Sequence, residues 1–391
     1  MNENHAPFIF GHHYLIPSVR ETGWLPALIE LINREGITHV FPAHDDVLLA
    51  LSECRDQIPA KLVTSPHATC RTTRSKSATY DCLRNAVAVP WYRKHSDATI
   101  CYPVFVKPDS AQGALDCFRI STPEELHCVL SRRDDFLIME YLPGKEFTVD
   151  CFSHRRLGLL YCAGRERVRT RAGIAMTSVF VLRPELLEFA MRIGENLQFH
   201  GAWFFQCKEA GDGTLKLMEV APRIAGTMCI ERARGVNLPL LSLWESEDAD
   251  VQILAGEYPV HVDRALVARF RIGFKFDIVY VDLDDTLILN GRVNSDLVRF
   301  LFQCLNRGHR LILITRHRGC VEETLRKYRL HGIFDETLRV AEDAMKSSVV
   351  CSHNAIFIDD SFAERRDVSS RCGIPTFDCS SVPCLFDERI L

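Results

Sequence analysis

Three aspartates fall within four positions in Asp282-Leu283-Asp284-Asp285-Thr286, directly after the apolar run DIVYV. Two further apolar runs end on Thr315 and on Asp359-Asp360, and Lys346 stands just ahead of the last of them. Carboxylates gathered at one place repel. Unless one is protonated they need a cation, and an all-oxygen acidic set suits Mg²⁺. With such an ion present, one aspartate can attack phosphorus covalently, while another two residues away protonates the leaving oxygen and then activates water. Thr315 and Lys346 are placed to hold phosphoryl oxygens. The acids available to such an ion are Asp282, Asp284, Asp359 and Asp360.

A second constellation precedes this one. Lys76 begins the helical pattern SKSATYDCLRNA, and Lys107 ends the strand pattern PVFVKP before the loop DSAQGA; both can reach phosphates. Glu140-Tyr141-Leu142 precedes Pro143-Gly144, where exposed backbone can pair with adenine, and Glu146 follows at ribose distance. Gln206 and Glu219 lie on strand patterns joined by the turn GDGT, so they can face the same way. Cations for phosphate, a backbone edge, a ribose carboxylate and acids for Mg²⁺ are what ATP requires. The stretch GRERVRTRAG carries Arg165, Arg167, Arg169 and Arg171, which suits either a solvated face or a loop receiving an anionic substrate. His12 and His13 are read as incidental.

The elements that must position these groups are short apolar runs alternating with helical patterns, hence α/β and α+β construction. HVFPA reads as a strand followed by a helix through DDVLLALSECRDQI. In STPEEL, Thr122 reads as an N-cap with Pro123 at the first helical position and Glu125 three after the cap. FLIMEYL, KEFTVDCF, GLLYCAG, AWFFQCKEA and LKLMEVAP make the middle strand-rich. From DIVYV onward, strands alternate with helices at 295–308, 319–330 and 362–371, the mark of a doubly wound parallel sheet with chemistry at the carboxyl ends of its strands. The expected division is a short α/β unit over 1–70, a two-lobed region over 71–270 and a doubly wound domain over 276–391. Between DLDDT and LILIT there is room for one helix but no inserted cap domain.

The 391 residues exceed what one core usually supports, and 47% hydrophobic with 25% charged residues is a globular composition. A formal net charge of -4 gives no basic field for nucleic acid or anionic lipid. The 16 cysteines are scattered without a CxxC pair, which reads as reduced, mostly buried thiols. The start lacks the pattern of a signal peptide and no window approaches a membrane span, so a soluble cytoplasmic protein is expected.

The segments TCRTTRSKSATY, VFVKP, MEYLPGKEFTVD, FFQCKE and MEVAPR, in that order, resemble the ATP-grasp superfamily, in particular the branch with the large subunit of carbamoyl-phosphate synthetase. The resemblance covers about residues 35 to 245. It implies that Lys76 and Lys107 bind phosphates, Glu140, Tyr141 and Leu142 form the adenine hinge, and Glu146 binds ribose. Gln206 and Glu219 would hold Mg²⁺, and Arg223 would steady the transferred phosphoryl group. Where that family commonly has EINPR, this chain has EVAPR, so Ala221 replaces a metal-binding asparagine. DLDDT, LILITR, Lys346 and FIDDS resemble the haloacid dehalogenase superfamily, implying a Rossmann-like phosphatase domain with Asp282 as nucleophile, Asp284 as acid/base, Thr315 and Lys346 on the phosphoryl oxygens, and Asp359 or Asp360 joining Asp282 and Asp284 as metal ligands. Together the resemblances imply an ATP-dependent carboxylate–amine ligase fused to a Mg²⁺-dependent phosphatase, acting on a small-molecule carboxylate, amine or phosphorylated metabolite. The alternative is a phosphatase carrying a non-catalytic ATP-binding module.

Overall fold

The computed structural model describes residues 4–95, 99–111 and 115–390; Gln112, Gly113 and Ala114 of the DSAQGA loop lie outside the described residues. The chain separates into two compact units, one spanning Ile16–Leu266 and the other combining the residues up to Leu15 with those from Val267 onward. The segment before Ile16 thus departs from the expected 1–70 unit. Its helix Ala6–Ile9 has four residues and buries none of them alone. It packs instead beside the turn Glu388–Ile390, and the Arg271 guanidinium lies 5.7 Å over the Phe8 ring.

In the Ile16–Leu266 unit, helices Trp24–Glu35 and Asp45–Glu53 accompany a parallel pair of two-residue strands, His39–Val40 and Lys61–Leu62. HVFPA is a strand for only two residues. Pro42 has no N–H to extend the ladder. A four-stranded antiparallel sheet follows, ordered Tyr92–Arg93, Phe136–Glu140, Val104–Pro108, Phe118–Ile120. Helix Pro123–Leu130 packs on it through Leu126 and Val129. That helix starts as read: the Thr122 hydroxyl accepts from Glu125 N at 3.3 Å, and the Glu125 carboxylate accepts from Ser121 N at 2.8 Å.

The larger sheet is antiparallel, ordered Leu215–Ala221, Gly201–Glu209, Glu146–His154, Gly158–Arg171, Ile174–Val181, His261–Asp263. Both of its faces are covered. Trp203 and Phe205 point toward helix Pro184–Asn196, while Ala202 and Phe204 point toward helix Leu238–Ser246. This alternation is the period of a strand. The Pro143-Gly144 turn fastens the small sheet to the large one: Gly144 N donates to Glu209 O at 3.0 Å. A Cβ at 144 would lie 2.5 Å from the Glu209 Cβ, so this approach requires glycine.

The second unit is built on a parallel five-stranded sheet, ordered Glu336–Arg339, Arg310–Thr315, Ile278–Val281, Ala355–Ile358, Thr376–Phe377. Val279, Val281, Leu311 and Leu313 bury one face beneath Phe300, Leu301 and Leu325; Tyr280, Ile312, Ile314 and Phe357 bury the other against Val368. The sheet is therefore covered on both faces, which is why its central strands read as unbroken apolar runs. Between Val281 and Ser295 the chain makes only the hairpin Ile288–Leu289 with Arg292–Val293, turned by Asn290 and Gly291 at φ of 50° and 70°.

Candidate active sites

The first unit holds a cleft where its two sheets meet. Ser75 caps helix Lys76–Leu83, and the Asp109 carboxylate accepts from Ser77 N at 2.7 Å, tying the loop after Val104–Pro108 to the start of that helix. Lys76 Nζ donates to the carbonyls of Pro108, Asp109 and Ala111 at 3.2, 3.2 and 3.1 Å. Burial lowers its pKa to about 8, and the neighbouring Lys107 adds to the shift. Lys107 is itself buried, donating to the Tyr80 hydroxyl at 3.3 Å and Met218 O at 3.5 Å. Burial lowers its pKa too, with Glu219 opposing. Both ammonium groups thus face the cleft while engaged to protein oxygens, so a phosphate must compete for them.

Three spaces run together along this cleft. A narrow slot of about 50 Å³ lies among Phe105, Met139, Tyr141, Leu142, Met218 and Lys208. It opens past Lys107 and Met218 into a cavity of about 270 Å³ bounded by Lys76, Glu146, Gln206 and Glu219. Beyond these lies a third of about 380 Å³, reached past Lys76, Gln206 and Glu219 and lined by Arg74, Arg165, Arg167, Arg223 and Arg264. Gln206 and Glu219 are direct cross-strand partners, as GDGT predicts, with a bulge directly after Gln206.

Several expected residues are already engaged by other side chains. The Glu140 carboxylate takes the Lys216 ammonium at 2.6 and 2.7 Å. Tyr141 lies under the Arg119 guanidinium at 4.9 Å, and Leu142 is buried. Glu146, expected at ribose, is 2.7 Å from Arg167 Nε. Arg223 grips Asp45 through both Nε and Nη2, the latter at 2.9 Å, and lies over the Phe204 ring. Ala221 lines the third cavity and offers no ligand oxygen there.

The arginine run divides. Arg165 is fully buried and paired with Asp150 at 2.8 and 3.1 Å, yet among the described residues its Nη1 has no hydrogen-bond partner. Arg167 donates to Gly173 O at 2.6 Å and faces the cavities, Arg169 is held at an exposed position by Asp263, and Arg171 is exposed. Two of the four therefore line the cleft and two do not. Sequence reading missed Arg74, Arg264, Tyr80 and Lys208, because nothing local marks a residue that reaches a site from another element.

The second unit gathers acids at the carboxyl ends of its central strands. Lys346, at the start of the turn Lys346–Val349, places its ammonium 2.5 Å from Asp282 and 2.6 Å from Asp359. Burial pushes Asp282 up to about 7, with Lys346 opposing and Asp359 adding to the rise. Asp282, Asp359 and Asp360 each offer an oxygen within 4.8 Å of one another, a set that could hold a metal ion. Thr286 closes the group: its hydroxyl accepts from Asp360 N at 3.0 Å and reaches Asp282 at 3.2 Å. Sequence reading gave that threonine no role, although it ends the motif.

Asp284, expected among the metal ligands, stands outside this set. Its two oxygens lie 3.0 Å from Nδ1 of His317, itself unremarked in the sequence. The strand ends at Val281, so Asp282 stands at its buried end while Asp284 lies beyond it in the following turn and is exposed. Thr315 is buried, its hydroxyl accepting from His317 N at 3.0 Å. Asp285 takes φ of 57°, a left-handed conformation that aspartate tolerates better than most residues. Glu364 accepts from Lys346 N at 2.9 Å and from Arg316 at 2.5 Å, holding the Lys346 turn against helix Phe362–Cys372.

The two-sheet unit with a cleft between its sheets has the ATP-grasp fold, which covers roughly 60% of the chain. More particularly, residues 132–265 match the family described as ATP-grasp in the biosynthetic pathway with Ter operon. Among the structures, biotin carboxylase from Campylobacter jejuni aligns with a TM-score of 0.53 at 14% identity, over 60% of each chain. The biotin carboxylase domain of Hydrogenobacter thermophilus 2-oxoglutarate carboxylase gives 0.52 at 14%, over 62% of this chain and 61% of that one. An N5-carboxyaminoimidazole ribonucleotide synthetase gives 0.52 at 13%, over 63% and 68%. The chain thus spans about 60% of the length of the biotin carboxylase it matches. No curated protein matches its sequence.

Proposed function

We propose that the chain joins two phosphoryl-transfer activities in small-molecule biosynthesis: an ATP-dependent ligase of the carboxylate–amine type, in about residues 71–270, and a Mg²⁺-dependent phosphatase of the haloacid dehalogenase type, in about 276–391. The observation that carries the ligase is the continuous run from an apolar slot, past two buried lysines, to an arginine-lined cavity. Supporting it, the Hydrogenobacter relative was solved in complex with MgADP, ADP and bicarbonate. In this reading the slot takes adenine, with the backbone of Glu140, Tyr141 and Leu142 at its edge and Glu146 near the ribose. Lys76 and Lys107 take the phosphates. Glu219 with Gln206 fits one Mg²⁺, and Ala221 provides nothing for a second. Bound there, the ion supplies positive charge against the phosphates. The acceptor carboxylate lies among the arginines, where Arg165 Nη1, without a hydrogen-bond partner among the described residues, is a donor still to be satisfied. Its oxygen attacks the γ-phosphorus, ADP leaves, and an amine displaces phosphate from the resulting acyl phosphate.

For the phosphatase, Asp282, Asp359 and Asp360 suit Mg²⁺ by their all-oxygen chemistry. The ion would supply charge neutralisation beside the phosphoryl group. Asp282 attacks phosphorus, Asp284 gives its proton to the leaving oxygen, and water then releases phosphate from Asp282 with Asp284 taking the proton back. Lys346 and Thr315 steady the phosphoryl oxygens. Fusion would couple two steps of one pathway in a soluble, cytoplasmic enzyme; among the described residues no helix is long and apolar enough to cross a membrane.

The test measures ADP release over a panel of carboxylates and amines, and phosphate release over a panel of phosphomonoesters. Loss of the first in Glu219→Ala and Arg223→Ala, and of the second in Asp282→Asn, is the expected result. ADP binding without any substrate-dependent release would favour a second reading, a nucleotide-binding module that does no chemistry. The held Arg223 and the substituted Ala221 point that way. No phosphate release from any ester would sink the phosphatase.

A further inference from the structure

We propose that His317 is the positioning residue for Asp284, holding that carboxylate toward the leaving group and away from the metal-binding acids. The inference rests on the phosphatase reading above. Asp284 is exposed and, among the described residues, the His317 ring is its only side-chain partner, with Nδ1 at 3.0 Å from both oxygens. An exposed carboxylate with free rotation would visit the metal-binding group two residues away. The ring prevents this because His317 is itself held by two contacts and given room by a glycine. Nε2 lies 2.8 Å from the Thr324 hydroxyl on helix Val321–Lys327. The backbone N–H of His317 donates to Thr315 Oγ1 at 3.0 Å, so the same threonine that borders the phosphoryl site sets the start of the imidazole. Gly319 leaves space for the ring: a Cβ there would lie 3.0 Å from His317 Nε2. Either tautomer leaves one ring nitrogen facing Asp284 and the other facing Thr324. The arrangement therefore serves the carboxyl group both when it donates its proton to the leaving oxygen and when it receives one from water.

Positioning of a general acid matters in proportion to how much the leaving group needs a proton. An alkyl phosphate expels a strongly basic alkoxide and depends on Asp284, whereas p-nitrophenyl phosphate expels a stabilised phenoxide and hardly does. The experiment measures kcat/KM with Mg²⁺ for p-nitrophenyl phosphate, phenyl phosphate and glycerol phosphate, using full-length wild type, His317→Ala, His317→Asn and Gly319→Ala. In His317→Ala the expected loss is roughly tenfold or more on glycerol phosphate and under about threefold on p-nitrophenyl phosphate, within the range general acid catalysis supplies. His317→Asn, whose amide can stand near the place of Nδ1, should recover part of the loss. Gly319→Ala, which displaces the ring without removing it, should show the same dependence on leaving group more weakly. An equal loss across the three esters in His317→Ala, or none, with activity still abolished by Asp282→Asn, overturns this assignment alone. A wild type that hydrolyses none of the three overturns the phosphatase reading together with it.

Discussion

The Lys346 ammonium lies 2.5 Å from the Asp282 carboxylate, with both side chains nearly closed off from water. A cation so placed balances one negative charge among several. Removing it leaves Asp282 and Asp359 facing each other in a buried place, a loss of about 3–5 kcal/mol for a broken buried pair. Lys346→Met should therefore lower the unfolding free energy of the second unit by that order in chelator. Added Mg²⁺ should restore part of it, since an ion bound only by the folded state stabilises by mass action. Denaturant unfolding with and without Mg²⁺ reads both; a variant as stable as wild type in chelator would show that the pair contributes nothing.

Lys76 gives a pH dependence. Burial holds its pKa at about 8 instead of the usual value above 10, so it is a cation below that pH and increasingly neutral above it. Nucleotide affinity should fall as pH rises from 7 to 9, since a neutral amine cannot compensate phosphate charge. The fall should reach roughly tenfold if the charge is fully lost. Lys76→Arg, which stays charged over this range, should flatten the profile. Titration calorimetry with ADP at each pH decides it, and a profile unchanged by the arginine would remove Lys76 from the phosphate site.

Asp285 holds a left-handed φ of 57° at an exposed position, and among the described residues its side chain makes no hydrogen bond. Glycine adopts that conformation without the steric cost, about 1 kcal/mol for a residue with a Cβ. Asp285→Gly should raise the melting temperature of the second unit by a few degrees, read by differential scanning calorimetry. A lower melting temperature would mean that aspartate is doing something at 285 beyond tolerating its backbone.

The strands that carry most of the candidate groups could be read from apolar runs because each is buried on at least one face: FLIME, AWFFQCKE, RLILIT and AIFI all lie where the patterns put them. Glu336–Arg339 could not, since three of its four residues are exposed and leave no apolar run. Helix Leu238–Ser246 was equally hidden, in a stretch without a clear polar face, although Asn237 caps it. Among site residues, those within a motif were legible by type and spacing. What escaped was orientation. Nothing in DLDDT says that Asp284 turns to a histidine 33 positions on, or that Glu140 turns to Lys216 on the other sheet.

That last contact ties the strand Phe136–Glu140 of the small sheet to the strand Leu215–Ala221 of the large one, with the slot alongside. It works as a clasp between the two sheets beside the slot. For a flat, rigid base to enter or leave, the two sheets must part or the slot must widen, so the clasp sets how often the door stands ajar. Being only partly buried, it is loosened by dissolved ions, and exchange of the bound nucleotide should quicken as salt is added.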